Sequence, residues 1–88
     1  MLVYESKNLK VYEVDSDQVC LKLVNGNLFV FVEVEFRSMG MNFTFDKQTP
    51  EKFFNTLTDS KIQEVIDAVK NSDPDDDEIE IEVSEFLN

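Results

Sequence analysis

The residues of this chain best placed to do chemistry are carboxylates near its C-terminal end. Asp73, Asp75, Asp76, Asp77, Glu78, Glu80, Glu82 and Glu85 succeed one another with no basic residue among them. The 88-residue chain holds 19 acids against 8 bases, a formal net charge of −11. The excess is uneven: residues 71–88 carry −8 of it, while residues 1–70 hold every lysine and arginine. Carboxylates in such number could bind a cation, exchange protons with a substrate, or meet the basic side chains of another protein.

The first two chemistries fit poorly. A calcium loop starting at Asp73 would place Asp73, Asp75 and Asp77 at its first three ligand positions. Its sixth position, which needs glycine for a sharp turn, is Glu78, and its twelfth, which needs a bidentate glutamate, is Ser84. No metal ligand set and no cofactor motif is therefore expected. Acid–base catalysis needs carboxylates whose surroundings separate their pKa values, whereas these acids stand in an open run. The chain has no histidine to activate Cys20, whose apolar neighbours Val19 and Leu21 mark it as a small buried hydrophobe. No catalytic residue is assigned. Direct nucleic-acid binding would need a basic patch with exposed aromatics. Lys7, Lys10 and Lys22 are expected near one another on a mixed sheet face, but acids outnumber them.

The elements that must hold these acids are legible from periodicity. Leu9 to Val14, Gln18 to Val24 and Leu28 to Phe36 alternate as strands, with residues 2–5 as a further edge strand. Asn25-Gly26 is a two-residue hairpin turn, which pairs Val24 with Asn27. Leu23 then faces Leu28, Leu21 faces Val30 and Val19 faces Val32 on the core side. Lys22 with Phe29, Cys20 with Phe31 and Gln18 with Glu33 share the other, mixed side, partly covered and partly wet. Asp15-Ser16-Asp17 predicts one turn and Arg37-Ser38-Met39-Gly40 another, followed by a strand with Met41, Phe43 and Phe45 on one side. Thr49-Pro50-Glu51 opens a short helix carrying Phe53, Phe54 and Leu57. Ser60 to Gln63 fits a capping box before the apolar stripe Ile62, Val65, Ile66, Val69. That helix should end near Asn71, ahead of Pro74. Ile79, Ile81 and Val83 alternate with Glu78, Glu80 and Glu82, a half-buried strand that should join the sheet.

These signals define one domain over residues 1–88, of α+β class: an antiparallel sheet of four to five strands with one or two helices packed on one face. No signal peptide or membrane span is evident and the one cysteine is unpaired, so a complete, soluble cytoplasmic protein is expected.

A strand spaces alternate residues about 6.7 Å apart. Glu78, Glu80 and Glu82 would thus form a ruled line of charge, extended by Asp73, Asp75, Asp76 and Asp77, with Glu33 and Glu35 widening it if their strand neighbours the last. A DNA duplex carries one charge per ~1.7 Å of axis, so a protein built for phosphates meets a field of similar density. In size, charge and layout the chain resembles small phage-encoded inhibitors, notably anti-CRISPR proteins and other nucleic-acid mimics, on the strength of its 73–82 run after a strand-rich start and a helix. The resemblance implies stoichiometric inhibition of a basic, nucleic-acid-binding enzyme, such as a CRISPR effector nuclease, inside a host cell. It implies no direct contact with nucleic acid or membrane. The chain is also similar to acidic immunity proteins that neutralise nuclease toxins. A third expectation is a structural or assembly subunit that docks through Phe29 and Phe31.

Overall fold

The computed structural model describes residues 1–35, 37–45, 49–73, 75 and 78–82, the side chains of Glu78, Ile81 and Glu82 excepted. The expected site residues Asp76, Asp77 and Glu85 lie outside the described residues, as do Phe36, Pro74 and Val83.

The fold is α+β. Five strands, β1 (Leu2–Glu5), β2 (Leu9–Val14), β3 (Asp17–Val24), β4 (Asn27–Val34) and β5 (Arg37–Thr44), form an antiparallel meander in chain order. Two helices follow, α1 (Pro50–Asn55) and α2 (Asp59–Lys70), and β6 (Glu78–Glu82) completes a six-stranded sheet. β6 runs parallel to β5, so the sheet has one strand more than expected and is not wholly antiparallel. The cause is the connection. A hairpin reverses the chain, whereas a crossover through two helices returns it to the end where β5 began.

The turns follow from backbone conformation. Asn25 and Gly26 both have positive φ, 51° and 81°, as a twist-matched two-residue hairpin requires. The β3–β4 register is the one that turn predicts, from Val24 opposite Asn27 to Gln18 opposite Glu33. Asp15, at φ 55°, turns β2 into β3, with Val14 opposite Asp17. The next turn differs from the sequence expectation. Residues 37–40 lie inside β5, and Val34 pairs with Arg37 across a turn opened by Glu35 at φ 52°. Ser38 and Gly40 resemble turn residues, but packing decides: this register buries both Val34 and Met39, which a turn at 37–40 would have left out.

The helices start on threonine caps. Thr49 Oγ1 accepts from the Lys52 amide at 3.1 Å, ahead of Pro50. The cap of α2 is Thr58, not Ser60. Thr58 is extended and its hydroxyl accepts from the Lys61 amide at 3.3 Å, which leaves Ser60 in the first turn. Asn71 caps the other end. Ile62, Val65, Ile66 and Val69 are all buried, with Phe53 and Phe54, against Val19, Leu21, Val30, Val32, Met39 and Met41. Both helices therefore cover one face of β3 and β4.

Among the described residues, two charged groups are buried, Lys10 and Asp17. Lys10 pairs with Leu21 and so shares its face. It is buried, not set beside Lys22 on the mixed face as expected. Its Nζ donates to the Phe54 carbonyl at 2.8 Å, lies 3.6 Å from the Glu5 carboxylate and sits 4.9 Å from the Phe54 ring centroid. The buried Asp17 carboxylate is 3.3 Å from Lys70 Nζ, tying the β2–β3 hairpin to the end of α2. Among the described residues no helix is long and apolar enough to cross a membrane.

Candidate functional site

The acidic residues gather by topology. In an antiparallel meander alternate turns share an end, so the Asp15 and Glu35 turns lie together. β6, parallel to β5, starts at this end, so the chain returns there after α2. Glu13 and Glu33 lead into the same end, since Glu13 pairs with Gln18 and Gln18 with Glu33. A hollow of about 300 Å³ is lined by Ser16, Glu33, Glu35, Arg37 and Ser38. An adjoining one is lined by Glu13, Asp15, Ser16, Asp17, Gln18 and Glu33.

Arg37 links these turns to the C-terminal acids. Its Nη2 donates to the Asp73 carbonyl at 3.1 Å. Glu33 and Glu35 do not stand beside the last strand, because β5 lies between β4 and β6. Their strand instead ends at the end of the sheet where Arg37 reaches the Asp73 carbonyl. The Asp73 carboxylate accepts from the Asp75 amide at 3.0 Å, so it also shapes its own turn. On β6 the backbone pairs Gly40 with Glu78 and Thr44 with Glu82. Ile79 packs on the core and Glu80 is exposed, in keeping with the alternation.

Glu13 and Asp15 were not anticipated as part of this array. A faint signal for them exists, because one hairpin of two equal eight-residue strands separates Asp15 from Glu35, and such a hairpin returns the chain to the end it left. Among the described residues no group of three or more potential ligands could hold a metal ion. Away from the acidic end, Tyr12 is the titrating group whose surroundings matter. Burial pushes its phenol above the usual 10.0, and the nearby Asp59 and Glu5 carboxylates add to the shift.

The second feature is the sheet face opposite the helices. Tyr4, Val11, Cys20, Phe31 and Gly40 are partners in successive strands and form one row across it. Leu9, Lys22 and Phe29 form the next. Phe31 is 61% exposed, Tyr4 53% and Phe29 49%. Cys20, expected to be buried, is only half-buried because it belongs to this face. The mixed face combines half-buried Leu9, Val11 and Cys20 with exposed Lys22, Phe29 and Phe31, and neither described helix lies over it. Gly40 leaves a notch beside the rings: a Cβ there would meet no atom of the described residues within 4 Å. Phe29, Phe31, Gly40 and Asn42 line a hollow of about 150 Å³ at this point.

No family model, curated protein or solved structure matches the chain.

The geometry suits recognition of a surface. The acids come from separate segments held by the hydrogen-bond ladder of an open sheet and two internal charge ties, and they adjoin an apolar face.

Proposed function

We propose that this chain is a stoichiometric inhibitor that occupies the basic nucleic-acid-binding surface of another protein, presenting carboxylates where that protein expects phosphates. One observation carries the reading. Glu13, Asp15, Glu33, Glu35, Asp73 and Asp75, from three chain segments, come together at one end of the sheet, and exposed Glu80 extends the acids along β6. Solubility alone needs charges spread over a surface, and gathering them costs stability through self-repulsion.

The physical steps are ordinary. A field of one sign steers an oppositely charged partner and raises the association rate. Each carboxylate can accept two parallel bonds from an arginine, as a phosphate does. Glu13 and Glu33 stand two strands apart, about 9.6 Å, with Gln18 between them, and alternate residues along a strand lie about 6.7 Å apart, so a basic cleft meets several carboxylates at once. Because the sheet fixes these positions before binding, less ordering entropy is lost than with a flexible acidic tail. Glu35 strengthens the reading. It occupies a left-handed position at φ 52° that glycine or asparagine would fill with less strain. A CRISPR effector nuclease or a nuclease toxin has the required basic cleft.

The test uses two baits, the wild-type chain and a charge-reversed block, Asp75→Lys, Asp76→Lys, Glu80→Lys and Glu82→Lys. Both are exposed to a lysate of the source cells at ~50 and ~200 mM salt, a range over which phosphate-like binding falls steeply. The expected result is capture of a nucleic-acid-binding protein that is lost on charge reversal and displaced by added DNA. Equal capture by both baits, unaffected by DNA, overturns the reading.

A further inference from the structure

We propose that the open sheet face anchors this same interface: Phe29 and Phe31 enter an apolar recess on a basic protein, while the notch at Gly40 receives an aliphatic side chain from it. The inference rests on the electrostatic reading above and adds the apolar contact that a mimic made of charge alone would lack.

The rings are in an unusual setting for a chain of this size. Both helices of the fold lie on the other face, so the layer that buries Phe53 and Phe54 cannot reach Phe29 and Phe31. Scattered apolar residues on a surface are normal, but here Tyr4, Val11, Cys20 and Phe31 adjoin one another in register, with Phe29 one row away. Aromatic anchors surrounded by polar groups are the usual centre of a protein–protein interface, because two rigid χ angles deliver a large contact area.

Charge selects the occupant. Glu13 and Glu33 border the face at one end, Glu80 lies along β6, and Lys22 stands beside Phe29. A second copy would set these carboxylates against their equals, each copy carrying −11. Nucleic acid and anionic bilayers meet the same repulsion. A basic protein with an apolar recess meets attraction at the border and dry contact at the centre, the arrangement in which a ring of polar contacts excludes water from an aromatic anchor.

The experiment is a ¹⁵N-NMR titration of the full chain with two peptides of equal charge, an oligoarginine and an alternating arginine–leucine sequence. The arginine–leucine peptide is expected to shift the amides of Phe29, Phe31, Gly40 and Asn42. Phe29→Ser with Phe31→Ser should weaken that peptide by about tenfold, and oligoarginine by much less. Gly40→Thr, which fills the notch without removing a ring, should weaken it too. The unshifted core amides of each variant report that it folds. If shifts stay at the acidic end and the variants bind as wild type does, the anchor is wrong and the electrostatic reading survives. If neither peptide binds at low salt, both fall. If the free protein shows concentration-dependent shifts at Phe29 and Phe31 that the double variant abolishes, a second copy is the occupant and the proposal is overturned.

Discussion

The two faces of one sheet carry aromatic side chains to opposite ends. Phe53 and Phe54 close the helix-covered face and are essentially inaccessible, while Phe29 and Phe31 project from the other and are 49% and 61% exposed. The strands that divide these faces are the same, β3 and β4, and each strand alternates its residues between them. Alternation by itself cannot say which side is covered. Cover comes from α1 and α2, which have one apolar face apiece and can line only one side. On the proposed reading, the side that carries no described helix is the one a partner meets, and the acids bordering it favour a basic partner.

Truncation should separate the faces most sharply. Phe53→Ala should cost about 3–5 kcal/mol in urea unfolding, from lost burial and the cavity left behind, while Phe31→Ala should stay within about 0.5 kcal/mol. Comparable losses at both positions would mean that something covers the open face.

Two lysines divide between the faces in the same way. Lys10 lies on the covered face and Lys22 on the open one, in neighbouring strands. Lys10→Ala strips the Phe54 carbonyl of its donor and should cost about 1–3 kcal/mol, whereas Lys22→Ala should be near neutral. Equal effects in the same unfolding assay would remove the distinction drawn between them.

The covered face should also respond to alkaline pH. The folded protein holds the Tyr12 proton more tightly than the unfolded chain does, since its phenol is raised above 10.0. The stabilisation is therefore fully present below about pH 10 and is lost as pH climbs through the raised value. Tyr12→Phe should flatten that part of the unfolding profile, and an unchanged slope would place the alkaline loss elsewhere.

The smallest effect is the one that couples stability to binding. Glu35→Gly relieves a left-handed residue and should stabilise the fold by up to about 1 kcal/mol, while removing one carboxylate from the acidic end. Stability rising as partner capture falls would mark Glu35 as retained for function. Capture that rises with stability would remove it from the site.

The meander, the Asn-Gly register and the apolar stripe of α2 were legible in the sequence because each rests on local chemistry: positive φ at Asn25 and Gly26, period two, and period 3.6. The parallel placement of β6 was not, because it depends on where a two-helix crossover returns the chain. The turn at Glu35 was hidden for a related reason. Its residue types speak for a strand or a helix, and only the burial of Val34 and Met39 fixes it. The C-terminal acids announced themselves as a run, but their meeting with Glu13, Asp15, Glu33 and Glu35 is a property of the sheet. Lys10 could not be told from Lys22 without the β2 register.

The central claim is tested most directly by displacement. The captured partner is loaded with fluorescently labelled nucleic acid and titrated with this chain while anisotropy is followed. The account predicts stoichiometric release, one chain per nucleic-acid site, weakened by salt and abolished in the lysine-reversed block. A partner that keeps its nucleic acid while binding this chain would contradict it.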